Sequence, residues 1–124
     1  MQRSFTNILT EEVAATTAFY EQLLGLKPQF SSDWFVNLAD PENPGLELGI
    51  LQQTHDIVPA EARQAPAGVM LTFVVDDCDA IHERALAANA NIIEAPREMP
   101  YGQKRMILRD PAGTFVDISS LVQN

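Results

Sequence analysis

The sequence predicts an α+β domain in which one unit, a strand, a helix and three further strands, occurs twice. Two observations carry this expectation. First, the chain contains two stretches of helical period, each preceded by a short apolar strand and followed by three short segments of strand character. Second, it repeats a turn-and-strand phrase: "DPENPG" leads into "LELGIL" at 46–51, and "DPAG" leads into "FVDISS" at 115–120. In the first phrase Leu46, Leu48 and Ile50 alternate with Glu47, Gly49 and Leu51. In the second, Val116 and Ile118 alternate with Asp117 and Ser119. Each strand thus sets one carboxylate on the face opposite its aliphatics.

The elements follow in order. A strand is expected at about Ser4 to Leu9, after which Thr10 can cap a helix whose first turn carries Glu11 and Glu12, where the helix dipole favours negative charge. Val13, Thr17, Tyr20 and Leu24 share one face of that helix, and Gly25 offers the left-handed exit. "LKPQF", "DWFVNLA" and "LELGILQ" read as three strands. A proline-containing polar connector occupies about 53–68, between modules at about 1–52 and 69–124 of a single domain over 1–124. The second module opens on "VMLTFVV". Asp76 or Asp77 then caps a helix with Ile81, Ala85 and Ala88 on one face and the Asn-rich "NAN" at its end. "IIEAPRE", "KRMILR" and "TFVDISS" complete it.

The two units can be aligned by number. Glu12 and Asp77 are 65 positions apart, as are Phe5 and Met70, whereas Glu47 and Asp117 are 70 apart. The five extra residues fall between helix and last strand, where loop length is free to vary.

Composition bounds the function. A chain of 124 residues, 46% hydrophobic, is one ordinary domain with enough apolar side chains for a core. No run approaches the roughly 18 apolar residues of a membrane span, and "MQRSFTNILTEE" lacks the apolar stretch of a secretion signal, so a cytoplasmic protein without membrane partners is expected. One cysteine, Cys78, excludes an intrachain disulfide; at a helix start it is either a buried filler or a thiol of lowered pKa. A net charge of -9 makes nucleic acid a poor partner and suits a neutral or cationic small ligand.

"TAFYEQLLGL" at 17–26 and "PYGQKRMILRDPAG" at 100–113, together with the paired strands, resemble the vicinal oxygen chelate superfamily of glyoxalases, bleomycin resistance proteins and extradiol dioxygenases. The resemblance covers nearly the whole chain. It implies two βαβββ modules forming cupped mixed β-sheets with helices outside, generally completed in a homodimer. Whether the cup closes within one chain or between two is left open. It also places the four metal-ligand positions of the enzymes on Phe5, Glu47, Met70 and Asp117. A benzyl ring and a thioether at two of them are poor ligands for divalent metals, so neither a metal nor a cofactor is expected.

That pattern resembles the metal-free, drug-binding branch of the superfamily. The expected function is small-molecule binding without metal, with an aromatic or cationic antibiotic-like ligand held in a dimeric cup. Phe30, Trp34 and Phe35 would supply aromatic wall, Phe5 and Met70 the floor, Glu47 and Asp117 the charge, and Tyr101 a rim. Alternation sets Trp34 and Phe35 on opposite faces, so at least one of the two belongs to the packing, and Arg105 faces either inward or to water. Two other readings stand beside this one. A metal-free lyase or isomerase would use Glu47 or Asp117 as general base, its pKa raised by the apolar floor; an interaction module would have kept the fold and lost the site.

Overall fold

The structure, a computed structural model, describes residues 1–122. Strand β1 (Thr6–Thr10) leads through helix α1 (Val13–Leu24) to β2 (Lys27–Ser31), β3 (Phe35–Asp40) and β4 (Asn43–Gln52). After the connector, which holds one 3₁₀ turn at Ala60–Ala62, come β5 (Met70–Val74), helix α2 (Cys78–Ala87), β6 (Asn91–Glu98), β7 (Gln103–Arg109) and β8 (Phe115–Leu121). The strands form two four-stranded sheets of the same topology, β1-β4-β3-β2 and β5-β8-β7-β6. Each is mixed, because the crossover helix makes β1 parallel to β4 and β5 parallel to β8 while the hairpins are antiparallel.

Alternation along the strands decides which face packs. Ile8, Val36, Leu38, Leu48 and Ile50 of the first sheet and Met106, Leu108, Val116 and Ile118 of the second are buried in one cluster with Phe19, Tyr20 and Leu23 of α1 and Ile81 and Ala85 of α2. The helices therefore cover one face of both sheets, and the intervening strand residues line the opposite, open faces. Between the modules, the Tyr20 hydroxyl donates to Asp110 Oδ2 at 2.6 Å, and Arg84 Nη1 donates to the Leu23 carbonyl at 3.1 Å. Asp110 Oδ1 in turn accepts the amides of Ala112 (2.9 Å) and Thr114 (2.8 Å), so one buried carboxylate folds the "DPAG" turn and ties it to α1.

Helix ends follow the expected chemistry with one change. Gly25 leaves α1 at φ 69°, and Asp77 caps α2 by accepting from the amides of Asp79 and Ala80. Thr10, however, belongs to β1. Its hydroxyl accepts from the Glu12 amide at 2.9 Å, and Glu12 is the residue before the first helical one. Glu11 and Glu12 thus precede α1 instead of occupying its first turn.

The duplication is also less regular in the strands than numbering implies. Thr6 pairs with Leu48, which sets Phe5, one residue earlier, at the level of Glu47. In the second sheet Met70 pairs with Phe115, and the residue paired with Asp117 is Thr72. Met70 therefore stands two residues short of the position that Phe5 holds in the first sheet.

Candidate functional site

The open face of the first sheet is a pocket of about 660 Å³ lined by Arg3, Phe5, Gln29, Phe30, Phe35, Asn37, Pro44, Gly45 and Glu47. It begins with a β-bulge. The β2–β3 register slips between Pro28 and Phe30, so Gln29 and Phe30, neighbours that simple alternation would send to opposite faces, both line the pocket. Phe30 is 56% exposed and its ring centroid lies 6.1 Å from that of Phe35. Phe5 forms another wall, with the Arg3 guanidinium 4.9 Å above its ring. Beneath them a Cβ at Gly49 would lie 2.0 Å from Asn7 Oδ1 and 3.2 Å from Phe35 Cε1, so the glycine makes room for the Asn7 side chain and the Phe35 ring to lie directly against the strand.

The polar side of the pocket is one connected chain. Arg3 Nε donates to Glu47 Oε1 and Oε2 at 2.9 and 2.7 Å, and Arg3 Nη2 also donates to Oε1. Gln29 Nε2 donates to Glu47 Oε1 at 3.0 Å and to Asn37 Oδ1 at 2.5 Å. The Glu47 side chain is only 5% exposed. Hydrogen bonding from Arg3 is the main reason its carboxyl is held below the usual carboxylate range, against a desolvation that pushes the other way; Gln29 adds to the lowering. Hydrogen bonding from the Asn37 amide adds a little more. The apolar floor therefore does not raise the Glu47 pKa as a general base would require.

A pH dependence follows. Because the folded-state pKa is lowered, the stability this carboxylate contributes is present above its unfolded pKa and is lost as pH falls through the folded value. In a carbon-13 NMR titration, Glu47 is expected to protonate below the chain's solvent-exposed glutamates and to move up towards them in Arg3→Ala. Coincident midpoints in the native chain would contradict the ion pair.

The other expected site residues are placed differently. Trp34 stands just before β3 and stacks on His55 of the connector, with ring centroids 3.8 Å apart and planes 12° apart. It is absent from the pocket lining, so of the Trp34 and Phe35 pair it is Phe35 that faces the open side. Met70 and Asp117 belong to the second sheet, where Asp117 accepts from Thr72 Oγ1 at 3.1 Å and Ser119 Oγ at 2.7 Å. Tyr101 is exposed in the turn between β6 and β7. Arg105 pairs with Glu94 at 3.4 Å. A groove of about 510 Å³ between the free edges of β1 and β5 adjoins the first-sheet pocket, with Phe5 and Glu47 shared by both. The structure thus gathers Phe5, Phe30, Phe35 and Glu47 into one site and leaves Trp34, Met70, Tyr101 and Asp117 outside it. Arg3, Gln29 and Asn37, which complete that site, carry no sequence signal beyond being polar.

A divalent metal does not fit these residues. Of the four ligand positions Glu47 is committed to Arg3 and Gln29, Asp117 to two hydroxyls, and Phe5 and Met70 offer a ring and a thioether. Among the described residues no group of three or more His, Cys, Asp or Glu side chains is placed to hold an ion. Cys78 is buried, its Sγ 3.4 Å from the Ile118 carbonyl, and burial above all, then the Asp79 charge, raises its pKa; it is a filler, not an activated thiol. A hollow of about 290 Å³ beside α2, lined mainly by Asp76, Asp77, Asp79, Glu98 and Lys104, is polar and partly closed by a 2.7 Å Lys104–Asp79 ion pair.

Two βαβββ modules with helices on one side and an aromatic-walled cup on the other define a cupped α+β fold. The chain belongs to the Glyoxalase/Bleomycin resistance protein/Dioxygenase superfamily, whose family model matches residues 4–118. Among solved structures it is similar to a glyoxalase/bleomycin resistance protein/dioxygenase family enzyme from Burkholderia phytofirmans PsJN, at 26% identity and TM-score 0.78 over 96% of this chain and 98% of that one. A glyoxalase-related enzyme from Fulvimarina pelagi aligns at 20% identity and TM-score 0.77 over 97% and 88%. Virulence protein STM3117 from Salmonella typhimurium aligns at 22% and 0.74 over 98% of each chain. Below 25% identity such likeness shows the fold alone. Among curated proteins none matches. No helix of the described residues is long and apolar enough to cross a membrane.

Proposed function

We propose that this chain is a metal-independent small-molecule binding protein whose ligand, an aromatic compound, lies in the cup of the first sheet, with two copies of the chain enclosing the cup in a cytoplasmic homodimer. The observation that carries this reading is the wall of Phe5, Phe30 and Phe35 around the pocket on the open face of the first sheet. Flat rings supply large apolar area at low entropic cost, about 25 cal/mol for each Å² removed from water. Metal independence rests on the donor set, in which the only two carboxylates at the ligand positions are already hydrogen-bonded. The general-base alternative loses support at Glu47, which is ion-paired and held ionised by Arg3, and at Asp117, where both carboxylate oxygens already accept, from Ser119 and Thr72.

Equilibrium binding of a panel of bicyclic aromatic compounds to chelator-treated protein tests the reading. Saturable binding at micromolar concentration, unaffected by added zinc, nickel or manganese, is expected. Binding that appears only when a divalent metal is restored would overturn metal independence.

A further inference from the structure

The two charged groups that line the cup, Arg3 and Glu47, are spent unequally. The Glu47 side chain is 5% exposed, and its carboxylate accepts from Arg3 Nε and Nη2 and from Gln29 Nε2, with the Asn37 amide acting on it as well. That carboxylate is closed to a ligand. The Arg3 side chain is 56% exposed and turns Nε and one N–H of Nη2 to Glu47, so that, among the described residues, both N–H groups of Nη1 and the second of Nη2 have no acceptor. Those donors are within a ligand's reach. The guanidinium is also held from two sides, because it lies 4.9 Å over the Phe5 ring while its fork grips the carboxylate. The ion pair is thus a fixed dipole with its negative end buried and its positive end exposed.

Resting on the reading of the cup as an aromatic-ligand site, we infer that Arg3 is a specificity-determining residue and that the ligand is an aromatic carboxylate, its oxygens accepting from the unspent Arg3 N–H groups and its ring lying among Phe5, Phe30 and Phe35. Position decides the sign. An anion at the exposed edge of the guanidinium is closer to the positive group than to the buried Glu47 carboxylate behind it, whereas an ammonium group there meets the guanidinium first. Apart from Glu47, none of the acidic residues behind the net charge of -9 lines the pocket, and at about 0.15 M salt charges more than about 8 Å away are largely screened. The cation expected from net charge is replaced by an anion.

The test uses 2-naphthoate, 2-acetylnaphthalene, which has nearly the same shape but no charge, and the cation 2-naphthylmethylammonium, titrated into the full chain by calorimetry. The naphthoate is expected to bind about tenfold more tightly than either of the others, as a charge-assisted contact in place of a neutral one implies. Raising salt from about 0.05 to about 0.5 M should narrow that preference about threefold, because the guanidinium is half exposed. Arg3→Met combined with Glu47→Gln removes both charges without leaving a buried carboxylate unpaired, and should bring naphthoate and ketone within about threefold of each other. Glu47→Gln alone keeps the guanidinium and frees it of its counter-charge, so the naphthoate preference should stay at about tenfold or rise; poor folding of one variant leaves the other, and the salt series on the native chain, to decide. Equal affinity for naphthoate and ketone, tightest binding of the cation, a preference indifferent to salt, one that survives the double substitution, or one that disappears in Glu47→Gln would overturn the role of Arg3 while the aromatic cup stands. Failure of all three naphthalenes to bind would overturn the cup reading itself, and this inference with it.

Discussion

Replacing Asp110 by alanine is expected to destabilise the chain by about 3–5 kcal/mol, the range for stripping a buried, multiply hydrogen-bonded carboxylate from its partners. The residue is buried and accepts from the Tyr20 hydroxyl and from two backbone amides of its own turn. Removing it orphans all three donors and unties the β7–β8 turn from α1. Tyr20→Phe keeps the ring in the core but leaves Asp110 Oδ2 without its partner, so about 1–3 kcal/mol is expected. Asp40 heads the corresponding turn of the first module, yet its side chain is hydrogen-bonded only to the exposed amide of Glu42. Its replacement by alanine should cost no more than about 1 kcal/mol. Urea unfolding midpoints at constant slope measure all three. Similar small losses at Asp110 and Asp40 would show that the two turns are equivalent and that the tie to α1 carries little.

The second large effect concerns the cup. Phe35→Ala is expected to weaken binding of 2-acetylnaphthalene about thirtyfold, close to 2 kcal/mol, the scale of a central aromatic contact. Phe35 faces the pocket beside Phe30 and over Gly49, so truncation removes contact area from the middle of the site. Trp34→Ala should change affinity less than about threefold, because that indole is stacked on His55 and not on the ligand wall. Isothermal titration of both variants decides the matter. A larger loss at Trp34 than at Phe35 would mean that the ligand lies against the connector.

Much of the fold was legible because it is written in periodicity. Buried Val13, Thr17 and Tyr20 follow the helical spacing, although Leu23 and not the half-buried Leu24 fills the core at the helix end; Leu48 and Ile50 or Val116 and Ile118 follow strand spacing, and Gly25 and Asp77 mark helix ends with their own stereochemistry. The superfamily followed from the "FYEQLLGL" and "DPAG" phrases, now explained physically by the Tyr20–Asp110 bond that joins them. Register was harder to read. The number-based match of Phe5 to Met70 missed that β5 slides by two residues against β8, a shift that keeps the same face inward and so leaves the hydrophobic pattern intact.

The site was legible in its rings and hidden in its polar half. Phe5, Phe30, Phe35 and Glu47 stand out as aromatic or charged residues on strands and do converge. Gln29 enters only through the bulge after Pro28, and Arg3 lies before the first strand, so neither is reachable by alternation. Asn37 sits between the core residues Val36 and Leu38, where sequence alone gives no reason to see more than a polar residue on the outer face. Net charge was the least informative guide: the cup's carboxylate is already matched by Arg3.

The central claim is that an aromatic ligand occupies the first-sheet cup, and amide chemical-shift mapping with 2-acetylnaphthalene tests it most directly. In nitrogen-15-labelled protein, saturating shifts are predicted for the side-chain amides of Gln29 and Asn37 and for the backbone amides of Phe5, Phe35 and Gly49, with little change at Asp79 and Lys104 beside α2. Shifts concentrated around Asp117 and Thr72 on the second sheet, or in the hollow of Asp77, Asp79 and Lys104, with the Asn37 and Gln29 amides unmoved, would contradict it.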